Sequence, residues 1–110
     1  MTRRVESRRR LAAIGRLALA VPRREGDPAV WIGHSREHTT ARWCYSASGP
    51  CVYVIGTRRL GAPGQTVWYY GQSDPDGASH RYRVECPDGL AAVVRGAIDG
   101  LWVREGRVTE

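Results

Sequence analysis

Lysine, asparagine and phenylalanine are absent from this 110-residue chain, and arginine supplies all 17 basic residues. The codons of the three missing residues are AT-rich, whereas arginine has several GC-rich codons. The composition therefore points to a high-GC bacterium or to a mobile element carried in one. Codon bias also weakens any argument from arginine standing in place of lysine, although the bidentate fork and stacking plane of the guanidinium are present either way.

Other absences exclude whole classes. No apolar run reaches about 18 residues, so no segment reads as a membrane-spanning helix. No fixed-period repeat is present, which excludes a solenoid. Gly61-Ala62-Pro63-Gly64 lacks the lysine and hydroxyl of a P-loop, and no G-x-G-x-x-G opens a helix. Asp74-Pro75-Asp76-Gly77 lacks the remaining ligands of a calcium loop. His34, His38, Cys44, Cys51, His80 and Cys86 are zinc-ligating types, but six residues separate the first two cysteines, too many for a zinc knuckle. No metal and no cofactor is expected. Three cysteines make an odd count; Cys44 and Cys51 flank one turn, and their pairing depends on export to an oxidising compartment.

What is present divides the chain by charge. Residues 1–24 hold Arg3, Arg4, Arg8, Arg9, Arg10, Arg16, Arg23 and Arg24 against Glu6 alone. Residues 25–110 hold nine arginines against ten acids, so the first segment nets +7 and the rest −1, together the net charge of +6. We read 1–24 as an arginine-rich helix or arm and 25–110 as a single small domain. Leu11, Ile14, Leu17, Ala18 and Val21 recur at helical spacing, with Arg8 and Arg10 flanking the stripe and Arg9 and Arg16 opposite it. Pro22 ends the helix. Ser7-Arg8-Arg9-Arg10-Leu11 resembles a twin-arginine export motif, but the apolar stretch after it is short and broken by Arg16. A cytoplasmic location is the expectation, and export by such a signal the alternative.

Beyond Pro28 the pattern changes to short alternating runs. Ala29–Gly33, Thr39–Ser46, Cys51–Thr57, Gln65–Gly71 and His80–Cys86 read as five strands, joined by links too short for helical crossovers and hence antiparallel. Leu90, Val93, Val94, Ala97, Ile98 and Leu101 mark a second helix over Asp88–Asp99, with Gly100 as its stop and Trp102-Val103 as a short edge strand beyond it. The expected fold is α+β: an antiparallel sheet of about five strands flanked by an N-terminal and a C-terminal helix. Several strands carry large apolar groups on both faces. Trp43, Tyr45, Trp68 and Tyr70 are the candidate open aromatic face, for a protein partner or a second copy in a homo-oligomer.

Three functions follow. The first is a non-enzymatic protein whose arginine-rich helix contacts nucleic-acid phosphates with little sequence specificity. The second is an accessory or regulatory subunit that binds another protein through the aromatic face or the same helix. The third is a toxin-like ribonuclease built from Glu37, His38, Arg58, His80, Arg83 or Glu85. Gly33-His34-Ser35-Arg36-Glu37 begins like a nucleophile elbow but ends on Glu37 where glycine belongs. The second helix carries the clearest periodicity and generates a direct test. Val94→Asp places a charge at the centre of its apolar stripe and is expected to unfold the domain in a urea titration, because an unpaired buried charge costs several kcal/mol. A cooperatively folded variant removes the stripe from the core.

Overall fold

A computed structural model describes residues 3–74 and 79–104, the side chains of Arg3, Trp102, Val103 and Arg104 excepted. Helix α1 (Arg3–Ala20) is followed by strands β1 (Ala29–His34), β2 (His38–Cys44), β3 (Cys51–Arg58), β4 (Thr66–Ser73) and β5 (Ser79–Val84), and by helix α2 (Ala91–Arg104). The strands form one antiparallel sheet in sequence order, a five-strand meander, and the α+β class expected from the alternation is the observed one.

The pleat sorts the strand residues into rows across the sheet. On one face the rows are Val30-Trp43-Val52-Gln72-His80, Ile32-Ala41-Val54-Tyr70-Tyr82 and His34-Thr39-Gly56-Trp68-Val84. Both helices pack on this face. Ala13, Ile14, Leu17 and Val21 of α1 and its end join Val94, Ile98 and Leu101 of α2 in a single core with Ala41, Trp43, Val52, Val54, Trp68 and Tyr70. Trp68 lies across Gly56, where a Cβ would come within 2.5 Å of its ring, so glycine is what admits the indole to the core.

The expected open aromatic face is therefore the covered one. Trp43, Trp68 and Tyr70 are 4%, 7% and 8% exposed. Tyr45 is half-buried against the same core, and its hydroxyl donates to the Gly26 carbonyl at 3.0 Å. The helices lie side by side rather than on opposite faces, and this leaves the other face of the sheet, not this one, without a helix.

Both ends of α2 differ from expectation. α2 starts three residues after Asp88 and runs through Gly100, so Trp102 and Val103 belong to the helix rather than to an edge strand. A glycine inside a helix costs about 1 kcal/mol relative to alanine, and complete burial of Ile98 and Leu101 on either side of it outweighs that. The expected turn Ser73–Gly77 and the expected fraying of Arg104–Glu110 fall mostly on residues 75–78 and 105–110, outside the described ones. Cys44 and Cys51 are register partners at the head of the β2–β3 hairpin, both buried as free thiols, and Cys86 is exposed.

The α1–β1 link is held by a buried arginine. The Arg95 guanidinium, on α2, donates to the Pro22 carbonyl at 2.7 Å, to both Asp27 carboxylate oxygens at 2.6 and 2.8 Å, and to Asp99 at 2.9 Å. The Arg24 amide donates to Asp27 as well, across a turn whose Gly26 sits at φ 83°. The Arg95 hydrogen bonds hold the Asp27 carboxyl below its usual range, against the opposing effect of burial. A group whose folded pKa is depressed contributes stability above its unfolded value, about 3.9 for aspartate, and loses it as pH falls through the lower folded value. Stability is therefore expected to drop below about pH 4 more steeply in the wild type than in Asp27→Asn, measured by thermal melts across pH 2–7. Parallel pH profiles would remove Asp27 from that role.

Candidate functional site

The first half of α1 shows how the site is built. The buried stripe of the helix and its end runs Glu6, Arg10, Ala13, Ile14, Leu17, Val21, and Leu11 is 39% exposed. Two charged residues thus occupy inward positions where the apolar pattern has run out. Arg10 is 1% exposed. Its Nε lies 3.1 Å from the Glu6 carboxylate, one turn earlier, and its Nη2 donates to the carbonyls of Ser35 and Arg36 at 3.2 and 2.9 Å. Thr66 donates its hydroxyl to the same Glu6 carboxylate. Burial pulls the Arg10 guanidinium below its ordinary value; Glu6 and Glu37 oppose this and Arg58 adds to it.

The β1–β2 turn that receives Arg10 is fixed from three sides. The Ser35 hydroxyl accepts from the amides of Glu37 and His38 at 3.3 and 3.2 Å. The Arg58 amide donates to the Glu37 carbonyl at 2.9 Å. His34 bridges helix and sheet, with Nδ1 at 2.7 Å from the buried Thr39 hydroxyl and Nε2 at 3.3 Å from the Ser7 hydroxyl.

These contacts bring Arg4 and Arg8 from α1 beside Arg36 from the turn and Arg58 from the end of β3. With Ser7 they line a cleft of about 350 Å³ with no carboxylate in its lining. Glu37 reaches Arg58 only at 3.9 Å, and its side chain is largely in solvent, so it neutralises little of the cluster. Four guanidinium forks around one concavity suit an oxyanion, most directly a phosphate, which accepts paired N–H bonds.

The eight arginines expected to act together are dispersed. Arg4 and Arg8 line the cleft. Arg10 is turned inward, so it braces the site and does not reach a ligand; the apolar letters alone had placed it at the border of the stripe. Arg9 is exposed. Arg16 pairs with Asp88 at 3.6 Å and Arg24 with Asp99 at 3.3 Å, both near solvent. Arg23 is exposed on the linker, and the Arg3 side chain lies outside the described residues. Arg36 and Arg58 were missed as partners of the helix because they belong to a body of near-zero net charge.

Of the residues considered for RNA cleavage, His80 stands apart from Glu37, His38 and Arg58. Glu37, His38 and Arg58 lie at one end of the sheet, while His80 faces Gln72 near the other, five residues away along β4 from the partner of Thr57, or about 17 Å. Among the described residues no group of three His, Cys, Asp or Glu could hold a metal ion, and no helix is long and apolar enough to cross a membrane.

Comparison of the chain with family models, with curated proteins and with solved structures finds no match. The functional reading therefore rests on the geometry. The bracing role of Arg10 is tested by two variants. Arg10→Met leaves the Glu6 carboxylate buried without its counter-charge and is expected to cost about 3–5 kcal/mol in urea unfolding. Adding Glu6→Gln to it is expected to restore most of that loss. A single variant as stable as the wild type would show that Arg10 does not hold α1 in place.

Proposed function

We propose that the protein binds nucleic acid through phosphate contacts in the arginine cleft, with little sequence specificity. The observation that supports this is the convergence of Arg4, Arg8, Arg36 and Arg58 on one cleft whose lining contains no acid. The backbone that carries Arg36 is fixed before any ligand arrives, by Arg10 and by the turn's own serine. Arginines on a fixed backbone lose less chain freedom on binding than arginines on a mobile arm. Guanidinium contacts to phosphate read charge and spacing rather than base identity, which is why weak sequence preference accompanies the reading.

Each phosphate contact lowers the slope of log K against log salt by about 0.9 on duplex DNA. Four contacts therefore correspond to a slope of about −3.6. Replacing Arg4, Arg8, Arg36 and Arg58 with glutamine is expected to flatten that slope towards zero. Replacing Arg16 and Arg24, already paired with Asp88 and Asp99, is expected to change it by less than one contact. Titrations at several salt concentrations give both slopes. An unchanged slope in the cleft variant moves the contact elsewhere, and absence of binding by the wild type at low salt removes the nucleic-acid reading.

A further inference from the structure

The face of the sheet turned away from the helices carries its own pattern. One row across all five strands reads Trp31-Arg42-Tyr53-Gly71-Arg81, and the next reads Gly33-Thr40-Ile55-Tyr69-Arg83. Four strand spacings make such a row about 19 Å long. Among the described strand residues facing this side there are three arginines and no acid. None of the described elements packs over it; Cys44, Cys51, Tyr53 and Ile55 form a small cluster of their own, apart from the helices.

The aromatic and cationic groups are interleaved rather than separate. The Tyr53 ring lies over Gly71, where any Cβ would collide with it. The Arg81 guanidinium then covers Tyr53 and Tyr69 together, 5.6 and 5.5 Å from their ring centres. Arg81 itself is exposed, so its outer plane remains available for stacking. At the opposite end of the row Trp31 is 55% exposed, with Arg42 beside it in register.

We infer that this face is a second nucleic-acid contact, one that takes unpaired bases: a single strand whose bases stack on Trp31 and on the Arg81 plane while Arg42 and Arg83 meet its phosphates. Charge favours a polyanion over a second copy of the chain, because two copies meeting face to face would bring six arginines together, with Glu85 beside Arg83 as the acid next to them in each copy. The exposed Trp31 ring and the guanidinium planes select unpaired bases over a duplex, whose bases are already stacked on one another. The inference rests on the phosphate-binding reading of the cleft and narrows its substrate to single strands, DNA and RNA alike.

The test is a set of anisotropy titrations with labelled oligo(dT), oligo(rU) and a duplex of equal length. The proteins are the wild type, Trp31→Ala, Arg42→Gln with Arg81→Gln, and the cleft variant. Circular dichroism melts establish that each is folded. Wild type is expected to prefer both single strands to the duplex. Trp31→Ala is expected to weaken single-strand binding about 5- to 100-fold, the effect of losing one stacked base, with duplex binding unchanged. The arginine pair is expected to do the same with a shallower salt slope. The cleft variant is expected to weaken all three ligands. Single-strand affinity unchanged in both face variants overturns the inference, and if the cleft variant still weakens all ligands the cleft reading stands alone. A dimer that dissociates in Trp31→Ala, seen by sedimentation, assigns the face to a second copy and also overturns it. No binding of any oligonucleotide by wild type removes both readings together.

Discussion

The Arg10 guanidinium is fully buried, and the position of the first half of α1 depends on how that charge is matched. An unpaired buried guanidinium would cost far more than the helix gains by docking. Glu6 supplies the counter-charge from within the helix, and the carbonyls of Ser35 and Arg36 supply oxygen from outside it. The second contact is the consequential one, because it ties the helix to a particular turn of the sheet. Apolar packing at Ile14 and Leu17 would hold α1 against the sheet but would tolerate small slides along its axis. Directional bonds from one guanidinium to two consecutive carbonyls do not. Arg4 and Arg8, in the first two turns of α1, thereby come to lie next to Arg36, whose carbonyl is held, and Arg58, whose amide is bonded to the same turn. The cationic cleft is a consequence of burying one arginine.

The second constraint is the number of helices. At 1.5 Å per residue α1 and α2 are about 27 and 21 Å long, each roughly matching the width of the sheet. Side by side they cover one face well, and they share a core and a polar clamp at Arg95. Placed on opposite faces each would leave its own half-covered. The outer face must then protect its apolar surface with its own side chains. Tyr53 lies over Gly71 and Arg81 lies over Tyr53, which accounts for a tyrosine that is buried on a face without helices.

The strands were legible because alternation survives translation into structure: all five occur where the period-two pattern placed them, with ends differing by at most two residues. Which face meets the helices was not legible. Trp43, Trp68 and Tyr70 alternate with Cys44, Val67 and Tyr69, and both sets are apolar enough to be core. Only the helices' position decides between them, and that is a long-range property that no local period encodes. The error in α1 has a different origin. Reading apolar letters alone moves the stripe towards Leu11 and Ala18, whereas the buried face includes Glu6 and Arg10, a pair one turn apart and of opposite charge. An i, i+4 acid–base pair in line with an apolar stripe is a detectable signal, but the same spacing is common on solvated helix faces, and burial is what separates the two cases.

Charge averaging hid the rest of the site. Residues 25–110 sum to almost nothing, and this made the body look incapable of attracting a polyanion. A phosphate, however, responds to charges within roughly a screening length, about 8–10 Å at ordinary ionic strength, not to the total over a domain. The acids of the body are placed where they cancel particular arginines: Asp27 and Asp99 surround Arg95, Asp99 also takes Arg24, and Asp88 takes Arg16. Those pairs lie along the linker and α2. Those three acids are thus engaged away from the turn end and the outer face, where Glu37 lies 3.9 Å from Arg58 and Glu85 shares a cleft with Arg83. A near-neutral sum is thus compatible with locally cationic surfaces, and the pairing pattern, rather than the total, sets the local field.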